Sequence, residues 1–359
     1  MRELRLADDY QQARTAFRGA AEAAGAEMEA HPHPLQGPGG EDLAVDVAVV
    51  GNPAADAALL IVSGTHGVEG FTGSELQRRW LEVSARNCPD EVRVVLIHAF
   101  NPHGFAWVRR VNEDNVDLNR NFIDWAKPPP ANDDYANLAP LLVPDSWDED
   151  TQQETTTELL AFAEREGFEQ LQHVVSSGQF SHPTGVFYGG TGPAWSHRWM
   201  RENASRLLSP ARRVGVVDLH TGLGPSGHGE LGSSARAKSS SFQRATTWWG
   251  DVRSIVDGDS VSATLTGEWL ARFDDFVPDT EITGVGLEYG TVDIISVLQA
   301  LRADAVLHAH GDPAAPEAAA IRAQVRAAFA DDDPRWIAKV LLRFDEVIAA
   351  ALTNLASDG

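Results

Sequence analysis

The run Leu59-Leu-Ile-Val62 constrains this chain more than any other stretch. Four consecutive apolar residues read as a buried strand, and Ser63-Gly64 break it. Helical spacing follows over Gly70–Ala85, so a strand feeds a helix through a short turn. The same grammar recurs along the chain. Strands are expected at Leu43–Val50, Val92–His98, Leu171–Ser176, Arg213–Leu219 and Ile282–Tyr289. Helices are expected at Asp8–Met28, Thr151–Glu166, Ala194–Leu208, Asp293–His310, Pro316–Ala328 and Pro334–Leu355. Strands alternating with helices predict an α/β fold whose largely parallel or mixed sheet is covered on both faces. No repeat, heptad run or linker interrupts the pattern, so a single domain over 1–359 is expected.

Between these elements lie segments with turn chemistry. His31-Pro-His-Pro-Leu-Gln-Gly-Pro-Gly-Gly40 reads as a loop with both histidines on a solvated surface. Ala99 to Gln152 reads as long and irregular, and loops of that length are often functional. Gly178–Gly190 and His220–Glu230 are rich in Gly and Ser and read as loops, the second as a turn or lid. Ser239–Asp257 fits neither period cleanly.

Composition excludes several classes. The chain carries 29 basic and 52 acidic residues, a net charge of −23, which argues against nucleic acid and anionic membranes as partners. No apolar run approaches the roughly 20 residues of a membrane span, and the start shows no stretch of signal-peptide length. One cysteine, Cys88, precludes an intrachain disulfide and fits a cytoplasmic location. Its neighbours Asn87, Pro89, Asp90 and Glu91 offer no cation to activate it as a nucleophile. Oligomeric state is not legible.

Chemistry-bearing residues gather where strands end. His66 and Glu69 stand three apart on the turn after Leu59–Val62, and His220 ends the strand Arg213–Leu219. Two imidazoles and a carboxylate, with a fourth position for water, are the ligand set of a hydrolytic zinc centre. In open α/β sheets the crevice beyond the carboxyl ends of strands is where ligands bind. Asp218, on the same strand face as His220, could steady a ligand histidine or pair with an arginine instead. Glu288, at the end of Ile282–Tyr289, is the candidate base for the water such a metal activates, or else a strand-end carboxylate in a salt bridge. Arg109-Arg110 and Asn119-Arg120 sit in the polar loop. A guanidinium there could stabilise an oxyanion or clamp a substrate carboxylate, or simply pair with Glu113, Asp114 or Asp117. Ser63-Gly-Thr-His lacks the Gly-x-Ser-x-Gly elbow of a serine hydrolase.

Five segments in order carry a resemblance: Gly64-Thr-His-Gly-Val-Glu69, Asn101-Pro-His-Gly-Phe105, Asp117-Leu-Asn-Arg-Asn-Phe122, Asp218-Leu-His-Thr221 and Gly286-Leu-Glu-Tyr289. Together they resemble the zinc carboxypeptidase superfamily, including its succinylglutamate desuccinylase and aspartoacylase group. The whole chain most resembles the bacterial branch called domain of unknown function 2817. The resemblance implies a mixed, mostly parallel eight-stranded sheet sandwiched by helices. It implies one zinc ion at His66, Glu69 and His220, with Glu288 as general base and acid. It matches Asn119 and Arg120 to the pair that holds a substrate carboxylate. Arg110, preferred to Arg109 on alternation through Asn112 and Asp114, matches the carbonyl-polarising arginine. Tyr188 and Tyr289 are candidates for a substrate-capping tyrosine. The expected activity is hydrolysis of an amide bond in a small peptide or N-acyl amino acid with a free carboxylate. The alternative is a non-catalytic binding protein that keeps the fold.

Overall fold

The computed structural model describes residues 5–262 and 265–357. Residues 1–4, part of the start read above for a leader, lie outside them. In chain order the first elements are α1 (Tyr10–Ala23), β1 (Glu27–Gln36), β2 (Asp42–Gly51), β3 (Ala57–Val62), α2 (Gly70–Val83) and β4 (Val92–His98). Then come α3 (Pro102–Ala106), α4 (Leu118–Asn121), α5 (Tyr135–Leu142), α6 (Glu149–Glu166), α7 (Phe168–Ser176) and α8 (Trp195–Leu208). The last part contains β5 (Arg213–Ser226), β6 (Gly229–Ser233), α9 (Ser240–Trp249), β7 (Val252–Ser254), β8 (Glu281–Gly290), α10 (Ile294–His310), α11 (Ala318–Phe329) and α12 (Pro334–Ser357).

The eight strands form one sheet in the order β1-β2-β4-β3-β5-β8-β6-β7. β4, β3, β5 and β8 run parallel at its centre, and antiparallel strands join on either side. This is the expected mixed, mostly parallel eight-stranded α/β sheet. All six residues of β3 are buried because helices cover both faces. Leu59 and Ile61 pack into one apolar cluster with Phe17 of α1, Trp80 of α2 and Phe344 of α12. Leu60 and Val62 face the other, with Trp199 and Met200 of α8. Alternation of Cβ direction along a strand explains the split.

Several expectations need correction. The first helix stops at Ala23, and Glu27–Gln36 is an edge strand paired antiparallel to β2. Pro32 and Pro34 are tolerated there because an edge strand does not need every N–H in the ladder. His33 is buried rather than solvated, with Nε2 3.3 Å from a Glu113 carboxylate oxygen and its ring 4.8 Å from that of Trp195. Leu171–Ser176 is the end of helix α7, not a strand. Its buried Leu171, Val174 and Val175 follow helical spacing, which a six-residue apolar run does not distinguish from strand burial. The irregular stretch 99–152 holds α3, α4 and α5. The segment His220–Glu230 is not a lid: β5 continues to Ser226 and β6 starts at Gly229. Ser239–Asp257 resolves into α9 and the short β7. Among the described residues, no helix is long and apolar enough to cross a membrane.

Candidate metal centre

The parallel centre of the sheet brings three strand ends together. Val62 of β3 is level with Asp218 of β5, and His220 of β5 is level with Glu288 of β8. The chain leaves β3 through Gly64, at φ +69°, where a Cβ would press on the Ala99 backbone at 3.2 Å. A Cβ on Gly67 would lie 2.0 Å from the Gly104 carbonyl carbon, so only glycine lets the turn lie flush against α3. From the other side, Gly67 N donates to Arg110 O at 3.1 Å and Val68 N to Arg109 O at 2.8 Å. The turn bearing His66 and Glu69 is thus fixed by backbone bonds.

His66, Glu69 and His220 form a buried cluster whose ligand atoms lie within 4.8 Å of one another. Glu69 Oε1 is 2.9 Å from His66 Nδ1, and Oε2 is 2.8 Å from His220 Nδ1. The outer ring nitrogens also meet carboxylates: His66 Nε2 lies 3.2 Å from Asp117 Oδ1 and His220 Nε2 2.6 Å from Asp218 Oδ2. A neutral imidazole has one donor nitrogen only. If the outer nitrogen of each ring donates to its aspartate, both inner nitrogens turn a lone pair toward a carboxylate. A proton on the ring or a shared metal cation between them resolves that conflict, and the nitrogen and oxygen donors suit zinc. Charge points the same way. Glu69, Asp117, Asp218, Glu268 and Glu288 outnumber Arg110, Arg120 and Arg302 in and around the cavity.

Asp218 is the hub that steadies His220. It also accepts Thr65 Oγ1 at 2.7 Å and the Trp269 indole N–H at 2.6 Å. Burial would depress the His220 imidazole, but Asp218 and Glu69 hold its pKa well above the ordinary histidine range. Asp117 shows the complementary effect. Burial opposes its charge, while Arg110, Arg120 and His66 hold the carboxyl well below the usual range. Opposite charges at short distance outweigh desolvation in both groups.

Glu288 behaves differently. Burial and then the Glu69 charge push its carboxyl up to about 7, against relief from His220, Leu223 N–H and Arg110. Leu223 N donates to Oε1 at 3.0 Å. A carboxyl poised near neutrality beside a group of residues that could hold a metal is suited to take up and return a proton.

The two arginines divide. Arg110 donates through Nη1 to Glu69 Oε1 and through Nε to Asp117 Oδ2, each at 3.0 Å, and lines the cavity. Arg109 turns away, with Nε 2.9 Å from Asp304 Oδ2 on α10. Asn119 and Arg120 also line the cavity. Arg120 is only 2% exposed, its Nε donates to Ser176 O at 2.9 Å, its Nη2 to the same oxygen and its Nη1 to Asn119 O at 3.2 Å, so much of its donor capacity serves the α7 terminus and its own loop.

Neither candidate tyrosine reaches this space. Tyr188 packs in the core with Trp199 and Met200. Tyr289 is fully buried against Gly229. No tyrosine lines the cavity among the described residues. The strand alternation that turns Glu288 toward the site turns Tyr289 away. Phe187 stands there instead, at φ +55°, its ring 5.5 Å from the Arg110 guanidinium and 5.1 Å from that of Arg120. Sequence reading missed Phe187, whose left-handed backbone leaves no mark in the sequence. It also missed Glu268, buried and bonded to Ser234 Oγ at 2.7 Å, with its carboxyl raised by burial. Asp117 was legible in part, as a lone acid between apolar Val116 and Leu118. Cys88 is inert: burial and Asp90 push its thiol up to about 11.

The order of the eight-stranded mixed sheet and the helices on both its faces are those of an α/β protein of zinc carboxypeptidase-like fold. The chain belongs to the family described as protein of unknown function (DUF2817), whose model matches residues 6–343. No curated protein matches it in sequence. Among solved structures it is similar to thrombin-activatable fibrinolysis inhibitor at 12% identity, over 98% of this chain and 75% of that one, with a TM-score of 0.50. Identity at that level speaks for fold alone. Carboxypeptidase A from Helicoverpa armigera is 12% identical over 90% of this chain and 74% of that one, with a TM-score of 0.46. A candidate metallopeptidase from Shewanella amazonensis SB2B is 16% identical over 84% and 94%, with a TM-score of 0.44. At scores below 0.5 the last two add nothing to the fold assignment.

Proposed function

We propose that this protein is a zinc-dependent hydrolase that cleaves an amide bond in a small peptide or N-acyl amino acid. The observation that carries the reading is the convergence of His66 Nδ1 and His220 Nδ1 on the Glu69 carboxylate, with Glu288 lining the same cavity. A zinc ion held by His66, Glu69 and His220 would act as a Lewis acid, polarising the substrate carbonyl and making a water acidic enough to react at neutral pH. Asp117 and Asp218 orient the two imidazoles from behind. Glu288 takes the proton from the attacking water and returns it to the departing amine. Arg110 donates to the oxygen that becomes negative as the carbonyl is attacked. Asn119, through its amide, and Arg120, through the N–H groups not bonded to Ser176 O and Asn119 O, receive the substrate carboxylate. A single cysteine fits action in the cytoplasm.

The alternative, a binding protein that keeps the fold without turnover, draws less support, since all three ligands and a base of suitable pKa are present. Elemental analysis of the purified protein, followed by a hydrolysis screen of N-acyl amino acids and dipeptides with zinc supplied, tests the reading. One zinc ion per chain and turnover of at least one class are expected. Full activity without metal would refute it. Activity confined to peptides with a blocked C-terminus would remove the carboxylate role of Asn119 and Arg120.

A further inference from the structure

The cavity that holds the metal ligands extends well beyond them. It encloses about 170 Å³, comparable to an engineered cavity of about 150 Å³ that accepts benzene. Away from His66, His220 and Glu288, its walls change character. One wall is α6 and α7, with Leu159, Leu171 and Val175; the facing wall is α10, with Val297, Leu298 and Leu301. At the mouth stand Leu160, Phe168, Ile294 and Ile295, 47%, 51%, 41% and 50% exposed. Only eight large apolar side chains are exposed among the described residues, and half of them border this one opening. Scattered exposed apolar residues need no explanation, but a contiguous set at a cavity mouth marks a binding surface.

The walls are tied at a fixed spacing by hydrogen bonds between α10 and α6. Gln299 Nε2 of α10 donates to Thr156 Oγ1 of α6 at 2.7 Å, and Arg302 Nη1 donates to the same oxygen at 3.1 Å. Arg302 is fully buried, and its Nη2 also donates to Leu141 O at 2.7 Å. Asp293 caps α10, with Oδ1 accepting Ile295 N at 3.1 Å and Ser296 N at 3.0 Å, which fixes the two isoleucines in the first turn. The groove is therefore preformed, apolar and open at its outer end.

We infer that the substrate carries an extended hydrocarbon group that lies in this groove while its amide sits at the metal centre. This rests on the hydrolase reading above and names the substrate class. Continuity decides the occupant, because the apolar walls and the metal ligands line one cavity, so the group that fills the groove belongs to the molecule being cleaved. Two sources share this chemistry: an acyl chain on the carbonyl side, or an apolar side chain on the amine side. The open mouth sets no short limit on length.

Two substrate series on the zinc-loaded protein separate them. One is N-acyl-glycines from acetyl to dodecanoyl; the other is N-acetyl amino acids from alanine to leucine, phenylalanine and tryptophan. In one series kcat/KM should rise about fourfold per buried methylene, the factor that transfer from water gives. Phe168→Ser and Ile295→Asn should flatten that rise while zinc content stays the same. Calorimetric titration with alkanoates from acetate to dodecanoate gives a readout independent of turnover: affinity should climb with chain length and lose that dependence in both variants. Hydrolysis of short members with flat profiles in both series, and flat alkanoate binding, would overturn the groove and leave the hydrolase standing. Chain-length-dependent binding without any turnover would uphold the groove and overturn the hydrolase.

Discussion

A base that must both accept and return a proton works best when its pKa lies near the working pH, and Glu288 is placed there by burial and by Glu69. Under the proposed mechanism, activity requires its unprotonated form. As pH falls through the Glu288 pKa the carboxylate is lost, so kcat/KM should fall on the acid side. A dication at His66, Glu69 and His220 favours the carboxylate and moves the midpoint below about 7. A flat profile between about pH 5 and pH 8 would exclude Glu288 as the base. Glu288→Gln should reduce kcat by about 10²-fold to 10⁴-fold while zinc stays bound, measured side by side by turnover and elemental analysis. Asp218 belongs to the same scale. It holds His220 Nε2 and ties it to Thr65 and Trp269. Asp218→Asn should weaken zinc binding by about 10-fold to 100-fold in a chelator competition. Affinity equal to the unaltered protein would show that a neutral hydrogen-bond acceptor at 218, and not its charge, is enough to set the ring.

At the scale of elements, the turn between β3 and α2 is the part with least slack. Gly67 lies so close to Gly104 of α3 that any Cβ forces the two segments apart. Gly67→Ala should cost about 1–3 kcal/mol in denaturant unfolding, and lower zinc affinity as well, because His66 and Glu69 ride on the displaced turn. Unchanged stability would mean that α3 can retreat at no cost. Much at this scale was legible in the sequence. The parallel strands β3, β4 and β5 announce themselves as apolar runs because both faces are covered, whereas β8 shows itself by alternation. The edge strand β1 did not, since Pro32 and Pro34 suppress the strand signal and only pairing with β2 overrides it. Nor did α7, where a short apolar run satisfies either period and packing beside α6 decides.

For the whole molecule, a metal held by His66, Glu69 and His220 would tie separate parts of the chain together. His66 and Glu69 follow β3, while His220 lies more than a hundred residues later on β5. An ion that binds only the folded arrangement stabilises it by mass action, about 2.7 kcal/mol at a hundredfold excess over Kd. Chelation should therefore lower Tm by at least roughly 4 °C in a thermal scan, and zinc should restore it. An unchanged Tm on metal removal would show a site too weak to matter for folding.

The sequence alone determined the α/β class and the strand ends beside which His66, His220 and Glu288 stand, because these follow from local periodicity. It separated Arg110 from Arg109 only by alternation, whereas the structure separates them by partner: Glu69 and Asp117 for one, Asp304 for the other. What only the tertiary structure decided are relations between distant segments. Asp117 behind His66, Phe187 in place of a tyrosine, and an apolar groove between α6, α7 and α10 all depend on which surfaces meet once the sheet is closed over by helices. No local pattern records such meetings, since each partner alone reads as an ordinary loop acid, a loop aromatic or a half-buried helix face.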